Sequence, residues 1–546
     1  LDVTLEDGLY EFKLMSSGTN VKLRLDYVYF EPLTVAEKTE REEETMTQIK
    51  PEGAVLAEDA VISHATSEHK PGDGIWYQQE LEKTAFLTKR ELLDITEADE
   101  QDITTITIYP EITYQTMLGV GTSLEESTIH HLKDMDPEVR REFIRYLIDP
   151  VNGVGMTLFR LTIGTADFTA EPFYTYYDAT KLDETNSVDG APDWYNVTGN
   201  GFSIQKDIDL LIVAVVQEVI EVAKELGAED EIRFFASSWT PPGWMKQHTA
   251  NSRSYKNNDL LLKGGKLADE HIENLTMYYV RYLEEYKKLG IDIMAITLQN
   301  EPMLEIDYPS CKMTATQEGK LAVAIREKLA QSELLKNETI GLWAYDHNPD
   351  AAVSFTKELF AVEGAKDAIS GIAFHDYSDP LSAMSEVKNT LLREDQVVAL
   401  TERSVWGTQG ADRMIQYFRN GAVSYNAWVT MLDSKIESHQ WVGTPDPTLF
   451  IRDWQSKTDY WATPEVALIG QFAKFIRPGD VRVESDYGSA DTVTSMAYKK
   501  ADGSALVVIC VNRTRSNQPV KLVFDGKQVL DVVPSKQVIT YEIPLK

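Results

Sequence analysis

Cysteine is almost missing from this chain: Cys311 and Cys510 are the two in 546 residues. That excludes a disulfide framework and a cysteine-built zinc cluster. Histidine is scarce as well, with nine scattered residues, and the adjacent pair His130-His131 falls in a helical stretch. No metal site and no cofactor are expected, and no phosphate-cradling glycine loop is present. Long apolar runs are lacking. The longest candidate, Leu210 to Val216, falls far short of the roughly 18 residues a membrane-spanning helix needs. Basic charge is short: 53 Lys and Arg stand against 87 Asp and Glu, a formal net charge of −34. Such a surface repels nucleic acid and anionic membranes, so neither is expected as a partner. There is no 20 to 50 residue repeat and no low-complexity tract.

What is abundant is material for a core. Hydrophobic residues make up 43% and aromatics 10%, which excludes a mostly disordered chain, and the length calls for one large domain with at least one smaller. Residues 1–33 hold two alternating segments, Leu9 to Leu14 and Val21 to Phe30, split by Ser16-Ser17-Gly18-Thr19-Asn20, a hairpin signal. The ending Leu25-Asp26-Tyr27-Val28-Tyr29-Phe30 resembles the closing strands of carbohydrate-binding β-sandwich modules, which makes 1–33 a candidate remnant of one. Residues 34–75, rich in Glu, Thr and Lys without sustained period, read as a linker or an irregular wrap. Strand signals return over 76–110, clearest at Ile103 to Tyr109.

From 111 to 478 strands and helices alternate. Strand candidates are Thr116 to Gly119, Thr157 to Ile163, Ile232 to Ala236, Ala295 to Leu298, Thr339 to Trp343, Gly371 to Phe374, Val397 to Leu400 and Ala422 to Trp428. Between most of them lie helical segments, the best being Ile208 to Leu226, closed by Gly227. Eight strands each followed by a helix is the arithmetic of an α/β fold of the (β/α)8 TIM-barrel kind. Over 479–546 short strands separated by tight turns read as an attached β-sandwich side domain. The strands between Ile75 and Tyr109 are expected to join it, because neither set has enough partners alone.

Two strands deliver carboxylates. Ile296-Thr297-Leu298-Gln299-Asn300-Glu301 is stopped by Pro302, and Val397 to Thr401 leads into Glu402. In a closed barrel both strand ends open on one mouth, so Glu301 and Glu402 can reach a common ligand. Two carboxyl groups flanking one bond are the minimum equipment for glycoside hydrolysis.

Leu298-Gln299-Asn300-Glu301-Pro302, Thr401-Glu402, the run Phe235 to Lys246 with Trp239 and Trp244 around Pro241-Pro242, and Arg160-Leu161 followed by Asp167-Phe168 occur together in one order. In this the chain resembles glycoside hydrolase family 30, in its glucosylceramidase-like branch, over roughly Ile103 to Ile543. The resemblance implies Glu301 as acid/base and Glu402 as nucleophile. It implies Asp167, Trp239, Asn300 and Trp428 as residues holding the sugar, with His375 and Tyr377 of the run His375-Asp376-Tyr377 as further sugar-binding candidates. It also implies a retaining β-glycosidase on neutral β-linked sugars, without cofactor, with a carbohydrate or glycoside as partner and an extracellular setting. β-Xylosidase and β-1,6-glucanase activity are the alternatives within the family, and a non-catalytic carbohydrate-binding protein is the alternative outside it.

Departures from the family pattern are Gly119-Val120-Gly121, Asp376 and Tyr425-Asn426-Ala427-Trp428. The loop from Ala170 to Gly201, with Phe173, Tyr174, Tyr176, Tyr177, Trp194 and Tyr195, suits a sugar-stacking rim, a cover over the barrel or a subunit contact. The two glutamates are expected about 5 to 5.5 Å apart, the retaining separation. Glu301 is expected to hold its proton while Glu402 is ionised.

Overall fold

The computed structural model describes residues 61–68, 87–100, 102–170, 172–183, 187–188, 191–195, 201–435 and 448–545; the hairpin read in 1–33 lies outside them.

Eight parallel strands form the barrel: Gly119–Ser123, Leu158–Thr162, Arg233–Ser237, Ile293–Thr297, Gly341–His347, Gly371–His375, Val397–Glu402 and Ser424–Ala427. The eighth pairs with the first, and it is tied to the seventh by Val423 N–H donating to Val398 O at 2.8 Å and Arg403 N–H to Asn426 O at 3.1 Å. The first strand begins later than the expected Thr116 to Gly119. Thr116 instead ends a strand of the side domain, and Met117-Leu118 is a junction, with Met117 N–H on Asp480 O and Leu118 N–H on Val423 O. Glycine lets the strand proper pack tightly, since a Cβ at Gly121 would meet Leu158 O at 1.7 Å. Val120 packs into the large core that includes the surrounding helices, so this departure does not line the mouth.

Alternation along the strands builds the interior in layers. Leu158, Phe235, Ala295, Trp343, Ala373 and Ala399 form an apolar plug. Two residues further along the same strands come Arg160, Ser237, Thr297, His375 and Thr401, all buried and all polar. A polar layer resting on an apolar one is where the barrel begins to be a site.

The expected helix Ile208 to Leu226 is two, Gln205–Asp209 and Ile212–Leu226, broken where Leu211 takes φ 67°. The break accompanies Asp207, which accepts hydrogen bonds from the hydroxyls of Tyr174 (2.9 Å), Tyr176 (2.5 Å) and Tyr286 (2.7 Å). Gly227 closes the second helix at φ 65°. Tyr174, Tyr176, Tyr177 and Trp194 of the aromatic loop are buried in the main core, so the loop is a cover packed on the barrel; of its four tyrosines and one tryptophan Tyr195 alone stays outside, 70% exposed.

Among the described residues the side domain is a single run of ten hydrogen-bonded strands. Its long strand Thr104–Thr116 changes partners along its length: Thr104 to Thr107 run parallel to Val520 to Val523, and Ile108 to Thr116 run antiparallel to Val481–Ser485. That switch folds the sheet over a core of Ile106, Ile108, Val508, Cys510, Leu522, Val529 and Ile539, giving the sandwich. Part of the segment read as a linker is a strand: Ile62–Ser67 pairs with Gln537 to Glu542. Its low hydrophobicity hid it: Ala65 packs on the side-domain core, while on the other face Thr66 is buried against Gln471, whose amide donates to its hydroxyl at 2.8 Å.

Candidate active site

Glu301 follows the fourth strand and Glu402 ends the seventh. Glu301 takes φ 48°, and across from it Tyr345 and Asp346 take 78° and 40°. Three left-handed non-glycine residues at neighbouring strand ends are local strain of the kind that gathers at functional sites. Glu301 N–H donates to Asp346 O at 3.0 Å, locking the two bends together.

Arg160, fully buried, stands at the floor of the mouth. Its guanidinium donates to Glu402 Oε2 (2.5 Å), Asn300 Oδ1 (2.8 Å), Asp346 Oδ2 (3.0 Å) and Ser237 Oγ (3.0 Å). Asp346 also accepts from Thr297 Oγ1 (2.6 Å) and Thr401 Oγ1 (2.5 Å). Burial works to raise the Asp346 carboxyl, but Arg160 and His375 hold it far below the ordinary carboxylate range. The other oxygen of Glu402 accepts from the Tyr377 hydroxyl at 2.9 Å.

His375 sits among three carboxylates. Its Nδ1 is 3.2 Å from Glu301 Oε1 and 3.6 Å from Glu402 Oε1, and its Nε2 is 3.2 Å from Asp346 Oδ1. Burial disfavours the imidazolium, yet the charges of Glu402 and Asp346 outweigh burial and push His375 up to about 10. Glu301 is shifted the other way: burial would raise it, but the hydrogen bond and charge of His375 leave it below its ordinary value. With His375 raised and Glu301 lowered, protonation of this pair favours the imidazole over the Glu301 carboxyl, where the sequence led to the opposite expectation. The reason is plain electrostatics, one cation ringed by three anions. Oxygens of Glu301 and Glu402 and a ring nitrogen of His375 lie within 4.8 Å of one another.

One wall of the mouth is aromatic. Trp239 and Trp428 stack with centroids 4.9 Å apart, Phe168 stands edge-on to Trp428, and the Arg160 guanidinium lies over the Trp239 ring at 4.6 Å. Gln299 fixes this wall from behind, its amide donating to Trp239 O at 2.8 Å. Asp167 is buried one residue before Phe168, and Tyr308, which packs on the same cluster, donates to Glu301 Oε2 at 3.3 Å. The structure thus brings Asp167, Trp239, Asn300, His375, Tyr377 and Trp428 around the two glutamates. Asp376 does not join them: it turns outward to Arg413 (2.7 and 2.8 Å) and the Tyr417 hydroxyl (2.5 Å). Sequence reasoning left Arg160 outside its candidate site and missed Asp346 and Tyr308. An arginine at an inward position of the second strand was a usable signal; Asp346, placed by an irregular strand end, had none.

The family model for the glycosyl hydrolase family 30 TIM-barrel domain matches residues 117–433. The chain belongs to glycoside hydrolase family 30. It is 25% identical over 450 residues to an endo-1,6-β-D-glucanase of Aspergillus fumigatus, covering 79% of this chain and 85% of that one. To the lysosomal acid glucosylceramidase of Mus musculus it is 23% identical over 456 residues, covering 80% and 82%. The solved structure of an endo-β1,6-glucanase superposes with a TM-score of 0.72 at 19% identity, over 89% of this chain and all of the other. This family 30 chain is therefore a glycoside hydrolase, and its expected barrel and side domain are both present.

Proposed function

We propose that this glycoside hydrolase is a retaining β-glycosidase acting on neutral β-linked glucose, with Glu402 as nucleophile and Glu301 as acid/base. The observation that carries this reading is the closeness of the two carboxylates, with oxygens within 4.8 Å. An inverting enzyme needs room for water between its carboxyl groups, about 6.5 to 9.5 Å, whereas retention needs about 5 to 5.5 Å. Glu402, held by Arg160 on one oxygen and Tyr377 on the other, attacks the anomeric carbon as the glycosidic bond breaks. Glu301, taking a proton from His375 Nδ1 at 3.2 Å, delivers it to the departing oxygen, then takes one from the water that releases the sugar. Asp167 and Asn300 supply hydroxyl partners, and the tryptophan wall faces the sugar's C–H surface.

For the leaving group, a β-1,6-linked glucan is the preferred reading over a lipid. The relatives named above include both kinds. Among the described residues that follow the two glutamates and His375 closely in sequence, the exposed large side chains are Tyr377, Trp406 and Met303, two of the three aromatic. The test is a panel of nitrophenyl β-glycosides, β-1,6-linked gluco-oligosaccharides and glucosylceramide, with NMR of the first-formed anomer. A β anomer first and a preference for glucosides are expected. An α anomer would overturn retention, a preference for xylosides would overturn glucose, and binding without cleavage would overturn catalysis.

A further inference from the structure

Beside the mouth, over the sixth and seventh strands, lies a cavity of about 570 Å³, within the range of ligand sites. It is separated from Glu402 by one residue. Tyr377 turns its hydroxyl onto Glu402 while the residue is 46% exposed, and both Tyr377 and Arg403 line the cavity, the Arg403 guanidinium 4.9 Å over one face of the tyrosine ring. On the far side stands Trp406, 37% exposed, just ahead of the helix Gly407–Arg419. The rim is closed by Arg413 from that helix and by Arg513 from the side domain, in the segment between strands Ala505–Asn512 and Gln518–Phe524.

Two large aromatic rings left open to water within one concavity are uncommon in a chain that buries most of its aromatics, and each can take a sugar's C–H face. The arginines at the rim are already neutralised and held in place. Arg413 donates to Asp376 and to Asp379 (2.8 Å), and Arg513 to Asp412 (2.8 Å). A guanidinium has five N–H donors, so such pairs still offer hydrogen bonds to hydroxyls without presenting a large excess of charge. That combination suits a neutral polyhydroxylated ligand better than a lipid chain.

We infer that this cavity is a distal subsite for the leaving-group side of a neutral oligosaccharide, built jointly by the barrel and the side domain, with Trp406 as its platform. The inference rests on the glycosidase reading above in one respect: Asp167 and the tryptophan wall follow the second, third and eighth strands, so a chain leaving them across the carboxylates runs toward the sixth and seventh, where Tyr377 touches both Glu402 and the cavity. Binding energy gained here is remote from the reacting bond and is spent on turnover of long substrates.

The experiment compares kcat/KM for β-1,6-linked gluco-oligosaccharides of increasing length with kcat/KM for nitrophenyl β-glucoside, in the full chain and in W406A and R513Q. For wild type, kcat/KM rises with length by roughly tenfold or more, as a remote contact can provide. W406A flattens that rise, R513Q lowers it by a smaller factor, and both leave the nitrophenyl glucoside within about twofold. In parallel, calorimetric titration of the tetrasaccharide into E402Q and into E402Q/W406A reads the cavity without turnover, and weaker binding by the double variant is expected. Length dependence unchanged in W406A, no length dependence in wild type, or equal tetrasaccharide affinity in the two titrations would each overturn the subsite. Failure of wild type to cleave any β-glucoside would instead strike the glycosidase reading, and the titrations would still decide the cavity.

Discussion

Arg160→Ala is the most exposing perturbation of this site. The side chain is fully buried and makes ion pairs with Asp346 at 3.0 Å and Glu402 at 2.5 Å. Removing it leaves two buried carboxylates with His375 as their remaining close cation. An exposed ion pair would cost under about 1 kcal/mol, but breaking a buried one by deleting a single partner costs about 3–5 kcal/mol. Against a total stability of about 5–15 kcal/mol this is a large fraction. The pH dependence has a definite sign. Asp346 is depressed by Arg160 and His375, so its contribution is present above the unfolded carboxylate value near 3.9 and is lost as pH falls through the folded value. In the variant the stranded carboxylates take up protons as pH falls, so the gap between wild type and variant narrows with acid. Calorimetric melting at pH 7 and pH 5 measures it, with a drop of several degrees at pH 7 expected and a smaller one at pH 5. Arg160→Lys, which keeps charge but not the fork, should recover part of the stability and little activity, because one ammonium cannot serve four acceptors. Melting of R160A within a degree of wild type at pH 7, or a gap that widens on acidification, would refute the reasoning.

Glu402→Ala should abolish turnover of every substrate. Glu301→Ala should spare dinitrophenyl glycosides far more than natural ones and, with azide, yield a β-glycosyl azide; an α-azide would show the roles reversed. His375, raised to about 10, holds the shared proton to high pH, so in His375→Gln that proton must rest on Glu301 alone and the basic limb of the pH–rate profile should move to lower pH. An unmoved limb would mean that His375 plays no part in the proton inventory. Asp207 is pushed up to about 6 by burial despite its tyrosine donors, so between roughly pH 4 and 6 the folded protein binds the extra proton and stability falls as pH rises. Asp207→Asn should remove that slope, read as melting temperature against pH.

The parts of this fold legible in the sequence were those written in periodicity. Val397 to Leu400 and Gly371 to Phe374 are short apolar runs bounded by polar residues, and their strands start where the runs start. Glu301 and Glu402 were visible because each follows such a run directly. Asp346 was not, because it lies within the register shift between Ala344 and His347 that re-aims it inward. The proton on His375 was also invisible: it depends on three carboxylates from three different strands meeting one ring. Nor could composition separate an aromatic rim from an aromatic cover, since Tyr174 and Tyr176 find their hydroxyl partner in Asp207, about 30 residues on in a separate short helix.

The partner-switching strand Thr104–Thr116 has a consequence for how the chain is made. Tyr114 and its partner Glu484 are 370 residues apart in sequence, with the barrel between them. On a ribosome that strand emerges early and waits for both its neighbours, with Tyr109, Ile112 and Tyr114 on a face still exposed even in the finished protein. Until residues beyond 481 appear it is an unpaired edge, open to pairing with another nascent copy. Loop-closure entropy grows only slowly with length, so the delay costs little in final stability; its cost is in time and in the chance of mispairing. The barrel can begin to fold first, and the sandwich can close only once residues 481 to 544 have followed it.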